Sequence, residues 1–213
     1  MVRDNCFSGN LVLLFNAYLC DMKSYCINLD RRADKWAYVR TEFERMNISV
    51  TRFTAIDTKP GWIGCRDSHL AILELCKEED VFAIYEDDVK FLQPWDIVEK
   101  AISQLPDDWD CLYPGASPKE PQERYSENLF RLKNAHVTHA IIWYNRTGGA
   151  IEYILSHKSD IRKVDDYLAI VIQPMFNCFV TFPIVATQVQ FQSDTCGRSD
   201  VSTILRNFEC FCK

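Results

Sequence analysis

Val81-Phe82-Ala83-Ile84-Tyr85-Glu86-Asp87-Asp88 decides how this chain folds. The apolar run 81–85 does not alternate, so both of its faces need cover. It therefore reads as a central strand with helices above and below. Acids follow at once. In an open α/β sheet ligands bind beyond the carboxyl ends of the strands, which puts Glu86, Asp87 and Asp88 at the functional rim. Strand parity sends Glu86 and Asp88 to one side and Asp87 to the other. Adjacent carboxylates beside a low-dielectric core repel, and a hard divalent cation relieves them. Mn²⁺ or Mg²⁺ held this way also takes oxygens from a substrate diphosphate. A solvated acidic turn would show the same three residues.

Upstream of this run, residues 24–29 read as a short buried strand, with Asp30 as N-cap of the helix that follows. Trp36, Val39, Phe43 and Met46 fall on one helical face, and Asn47 closes the helix. Residues 48–55 alternate as a second strand. Cys65, His69, Ile72 and Cys76 form another helical stripe. This order predicts right-handed crossovers and a single α/β domain: a mainly parallel, mixed sheet flanked by helices. Downstream, 109–113 and 137–144 read as strands, and 149–157 and 165–172 as helices. Segment 114–134, polar and marked by Pro114, Pro118 and Pro121, reads as a long, mobile loop. The domain is expected over 22–195, after an N-terminal extension 1–21 and before a tail 196–213.

Composition sets outer bounds. The chain has 213 residues, 47% apolar and 25% charged, enough for one full core. A net charge of −6 with scattered Lys and Arg argues against a nucleic-acid partner. The apolar stretch 11–20 is broken by Asn16 and is too short to span a bilayer. Ten cysteines lack paired zinc-finger spacing and read mostly as reduced thiols in a core. That favours an intracellular, cytoplasmic setting, with the secretory lumen as the other compartment. There Asn47-Ile48-Ser49 and Asn145-Arg146-Thr147 would be glycosylation acceptors.

The order Ile27-Asn28-Leu29-Asp30-Arg31-Arg32, then Gly64-Cys65-Arg66-Asp67-Ser68-His69, then Tyr85-Glu86-Asp87-Asp88-Val89 resembles glycosyltransferase family 25. That family includes lipooligosaccharide and procollagen galactosyltransferases. Val164-Asp165-Asp166-Tyr167-Leu168 is similar to the family's Pro-Val-Asp segment, without its Pro. Gln192-Ser193-Asp194 is similar to its C-terminal Ser-Asp. The resemblance runs from about Lys23 to Asp194. It implies a GT-A-type nucleotide-binding fold, a UDP-sugar donor, Mn²⁺ dependence, and inversion at the anomeric carbon.

Each motif then has an expected role. Glu86 and Asp88 are metal ligands, with Asp194 as a distal third; Asp87 belongs to the donor site. Asn28, Leu29, Arg31 and Arg32 sit where a strand end meets a helix start and a diphosphate can be held. One of the two arginines is expected to be taken up by Asp34 or Asp30. The resemblance gives Asp57 the nucleotide's ribose or base, and makes Ser68 and His69 shape the donor pocket; on its own, His69 would be a buried core histidine. Inverting transfer needs a base for the acceptor hydroxyl. Asp165 and Asp166 are the candidates, with helix capping by Asp165 as the structural alternative. Of Trp62, Trp95 and Trp143, Trp62 is best placed to stack on a sugar.

The expected activity is therefore hexosyl transfer, of galactose or glucose, from a UDP-sugar to a saccharide, glycan or hydroxylysine-type protein acceptor. An inactive module of the same fold, serving in binding or adhesion, is the principal rival. A nucleotidyltransferase is disfavoured because no Gly-rich phosphate loop is present.

Overall fold

The computed structural model describes residues 22–191 and 201–212. The expected extension 1–21 and Asp194 lie outside them. β1 (Lys23–Asn28), β2 (Thr51–Thr54) and β3 (Val81–Glu86) run parallel, with β1 in the middle. The full eight-stranded sheet has the order β2-β1-β3-β10-β5-β11-β8-β7. Its other strands are β5 (Cys111–Tyr113), β7 (Glu123–Arg124), β8 (Leu129–Arg131), β10 (Ala140–Tyr144) and β11 (Cys178–Thr181). β10 and β8 run against the rest, so the sheet is mixed and mainly parallel.

Helix α1 (Ala33–Met46) connects β1 to β2, and α2 (Gly61–Leu75) connects β2 to β3. The chain first steps outward from β1 to β2, then back past β1 to β3. Right-handed crossovers then require the two helices to lie on opposite faces. They do: Val39 and Phe43 of α1 pack with Ala83 and Tyr85, while Ile72 and Leu73 of α2 pack with Phe82 and Ile84. Alternate residues of β3 thus feed two cores, as its unbroken apolar run requires. α3 (Asp96–Ile102) joins α1 on its face; α4 (Ala150–Ser156) and α5 (Val164–Tyr167) lie with α2. A π-turn, Leu168–Ile172, carries α5 into α6 (Gln173–Met175). The C-terminal α7 (Val201–Phe211) places Phe208 in the α2-side core, and Cys212 follows it there. No helix among the described residues is long and apolar enough to cross a membrane.

Several local expectations need correction. Asp30 does not cap α1. The N-cap position is Arg32, without a side-chain bond, and the Asp30 carboxylate pairs with Arg52 at 2.9 Å. Asp165 likewise is not the cap of α5; Lys163 holds that position and Asp165 falls in the first turn. Segment 114–134 is not a free loop. It holds β6 (Ser117–Pro118), β7 and β8, and Leu129 and Phe130 are fully buried. β6 pairs with β9 (Ala135–His136), and β4 (Val89–Phe91) with β12 (Ala186–Gln188). These two small ribbons bring distant residues to the rim beyond β3.

The start of α2 is fixed by close packing. A Cβ on Gly64 would sit 2.0 Å from the Ile56 carbonyl oxygen. Ser68 ties the same two segments, accepting from Ile56 N at 2.9 Å and donating to Gly64 O at 2.7 Å. Gly64→Ala should therefore cost about 1–3 kcal/mol, the usual range for overpacking, read from chemical denaturation. An unchanged midpoint would mean that the 55–58 loop yields freely.

Candidate functional site

A cavity of about 320 Å³ opens where the carboxyl ends of β1, β2 and β3 converge. Sheet order reverses between β1 and β3, and such a switch point leaves a crevice between loops that diverge to opposite faces. Leu29 and Arg31 enter from the end of β1, Asp57 from the end of β2, and Glu86, Asp87 and Asp88 from the end of β3. Lys163, Val164 and Asp165, His136 and Thr138, and Gln188 and Phe191 complete the lining.

Strand parity holds for Glu86 and Asp87, which turn to opposite faces, and fails at Asp88. β3 ends at Glu86, and Asp87-Asp88 form a turn into β4, so alternation stops there. Glu86 points at α2. Its Oε1 lies 3.2 Å from His69 Nε2, accepts from Thr138 Oγ1 at 2.6 Å, and is 3.9 Å from Cys65 Sγ. Burial pushes the Glu86 carboxyl up, but the bonds from His69 and Thr138 and the His69 charge outweigh it and hold it at about 2. Asp87 points at α1, accepting from Asn28 Nδ2 at 2.7 Å and Lys35 Nζ at 3.0 Å. Even so, burial leaves its pKa raised.

Asp88 is the least well satisfied. Lys35 is 3.8 Å from its Oδ2, and Gln188 Nε2 is 3.5 Å from its Oδ1. Burial, with the charges of Glu86 and Asp87, pushes its pKa up to about 7 against this weak compensation.

Lys35 was not legible as a site residue. It is 6% exposed and serves two carboxylates at once, with its Nζ 5.7 Å from the Phe191 ring. Burial works against the ammonium, and the charges of Asp88 and Asp87 outweigh it, raising its pKa. Lys35→Met should destabilise the metal-free protein at pH 8 by about 3–5 kcal/mol, the cost of orphaning buried carboxylates. Urea denaturation measures this. A loss under about 1 kcal/mol would show that water, not Lys35, carries the two charges.

The other expected site residues separate into those at the cavity and those behind it. Arg31 and Asp57 both line it and pair with each other at 3.0 Å, each about half exposed. Arg32 is not part of the lining and makes two 2.9 Å bonds to Asp34, the partner expected for one of the two arginines. Asn28 is buried and works through others: it donates to Asp87 and to the Arg32 carbonyl and accepts from Arg52 Nε. Ser68 is fully buried as a helix tie rather than a pocket residue, and His69 is buried behind the lining with its Nε2 on Glu86. Asp165 lines the cavity; Asp166 is 3.4 Å from His136 Nδ1 and is not part of the lining. Trp62 reaches the cavity, whereas Trp143 is core and Trp95 packs on Phe91.

No protein-family model matches the chain, and no curated protein matches it. Among solved structures, the crystal structure of A197 from STIV aligns over 81% of this chain and 87% of its own, at 10% identity and a TM-score of 0.42. The crystal structure of HddC from Yersinia pseudotuberculosis aligns over 95% and 83%, at 14% identity and a TM-score of 0.38. Likenesses this distant leave the chemistry to be read from the side chains.

Proposed function

We propose that this chain is a metal-dependent glycosyltransferase with a GT-A-type domain, similar to glycosyltransferase family 25. It would move galactose or glucose from a UDP-sugar to a saccharide or hydroxylysine-type acceptor, with inversion. The observation that carries this reading is Asp88. It is a largely but not fully buried carboxylate, poorly compensated, lining a cavity beyond the switch point of a mainly parallel sheet.

The donor set fits a hard divalent cation. Among the described residues, the two oxygens of Asp88 have only long contacts, and the contacts of Glu86 all fall on Oε1, leaving Oε2. Carboxylate oxygens are what Mn²⁺ and Mg²⁺ take. Asp87 is already committed to Asn28 and Lys35 and fits the role of a positioning residue better. When bound, the metal supplies positive charge for the departing diphosphate.

The chain's own residues do the rest. Arg31 and Asp57 stand at the rim where a nucleotide would enter, and Leu29 gives that wall an apolar surface. Lys35 holds Asp87 and Asp88 in place while lowering their mutual repulsion. Asp165, which also lines the cavity, would take the acceptor hydroxyl proton. Trp62 also lines the cavity, with the guanidinium groups of Arg66 and Arg162 over its ring. The cavity volume falls in the range of small-molecule sites, about 300–1,000 Å³.

The test is turnover of UDP-galactose and UDP-glucose by the whole chain, with and without Mn²⁺, followed by mass spectrometry. Manganese-dependent release of UDP from one donor is expected. No metal-dependent turnover with either would overturn the enzymatic reading and favour a binding module of the same fold.

A further inference from the structure

We propose that Cys65, His69 and Glu86 form a soft-metal site, of the class that takes Zn²⁺, in the floor of the cavity. Cys65 and His69 are four residues apart on α2, so both side chains leave one helix face. Glu86 meets them from the end of β3. His69 Nε2 is 3.2 Å and Cys65 Sγ 3.9 Å from Glu86 Oε1, and the three ligand atoms all lie within 4.8 Å of one another. Metal bonds of about 2.0–2.3 Å in a tetrahedral shell hold ligand atoms about 3.3–3.6 Å apart. Shifts of about an ångström therefore close the trio round an ion.

The ligand chemistry separates this site from Asp88. Thiolate and imidazole select zinc and its soft neighbours, whereas Mn²⁺ and Mg²⁺ prefer carboxylate, carbonyl and water oxygens. Three protein ligands with a fourth position open is the arrangement of catalytic rather than structural zinc. Cys65 and Glu86 line the cavity, so the fourth position faces whatever the cavity holds. Thr138, donating to Glu86 at 2.6 Å, is the kind of outer partner that fixes a ligating carboxylate. His69 is 2% exposed and thus shielded from competing water. Binding forms the sulfur–metal and nitrogen–metal bonds and releases to solvent the Cys65 thiol proton and, from a charged His69, its extra ring proton. The proposal needs neither a sugar donor nor manganese, so it stands or falls apart from the glycosyltransferase reading.

Cobalt is the probe, because thiolate ligation gives Co²⁺ a near-ultraviolet charge-transfer band. Titration of the metal-free full chain with Co²⁺ should raise that band to saturation at one equivalent, and Zn²⁺ should abolish it. Cys65→Ser should remove the band. His69→Gln should weaken Co²⁺ binding at least ~100-fold, the upper end of what losing an outer partner costs. Thr138→Val should weaken it by about 10–100-fold. Asp88→Ala should keep the band. A band that survives Cys65→Ser, or no band in the wild type, overturns the site. Where Cys65→Ser fails to fold, X-ray absorption at the zinc edge of the wild-type protein decides. One sulfur with nitrogen and oxygen neighbours supports the site, and a shell with no sulfur or several refutes it.

Discussion

Asp88→Ala is expected to lower metal-dependent turnover by about a thousandfold or more, because a divalent cation supplies several kcal/mol of charge stabilisation to a leaving diphosphate. The fold should survive, since the side chain makes only long contacts among the described residues. Stability gives a second, independent readout. In the unfolded chain Asp88 titrates near its ordinary 3.8, whereas the folded protein holds it at about 7. Between those values the folded form keeps a proton that the unfolded chain has lost. Stability therefore falls as pH rises through this window, and the deficit is complete above it. Asp88→Asn removes the deficit, so it should raise the unfolding midpoint of the metal-free protein more at pH 8 than at pH 5. Saturating Mn²⁺ should then favour the wild type, because only it regains a counter-charge. Retained turnover in the alanine variant, or equal midpoints at both pH values, would take the cation away from Asp88.

Much of the sheet could be read from local pattern because its signals are local. The run 81–85 is apolar on both faces and is covered on both faces. The spacing of Trp36, Val39, Phe43 and Met46 marks the buried side of α1, and Asn47 ends it in the left-handed conformation. Segment 114–134 misled for an equally physical reason. Its strands are two or three residues long and polar between, so no periodicity can build up. β8 is held between its short neighbour β7 and β11, the latter some fifty residues later in the chain.

The site divides in the same way. Residues at the ends of β1, β2 and β3 were legible because strand ends in such a sheet share one rim. Lys35 was not, because a lysine within Asp30-Arg31-Arg32-Ala33-Asp34-Lys35 has the look of a solvated charge run. Only the turn of α1 that follows Arg32 carries it inward over Asp87. His136 and Gln188 reach the cavity through the β6–β9 and β4–β12 ribbons, whose partners are far apart in sequence. Parity failed at Asp88 because the strand stops two residues earlier, and a turn places neighbouring acids on the same lysine.

The first turn of α5 offers the sharpest remaining contrast: both of its aspartates come within 4.8 Å of His136, but one lines the cavity and the other does not. Asp165 lines the cavity, and Asp166 turns to His136 at 3.4 Å. A base that takes the acceptor proton contributes about 10²–10⁴ to the rate, so Asp165→Asn should lower kcat by that factor with little change in KM for the donor. Asp166→Asn acts only by loosening His136, and its loss should stay within about tenfold, less than the contribution of a proton-transfer group itself. Neither change should move the unfolding midpoint much, since neither carboxylate caps the helix. If the larger loss falls on Asp166 instead, His136 is the proton acceptor and Asp166 its orienting partner. If both variants keep near-normal turnover, the proton leaves by another wall of the cavity and the acceptor enters from a different side.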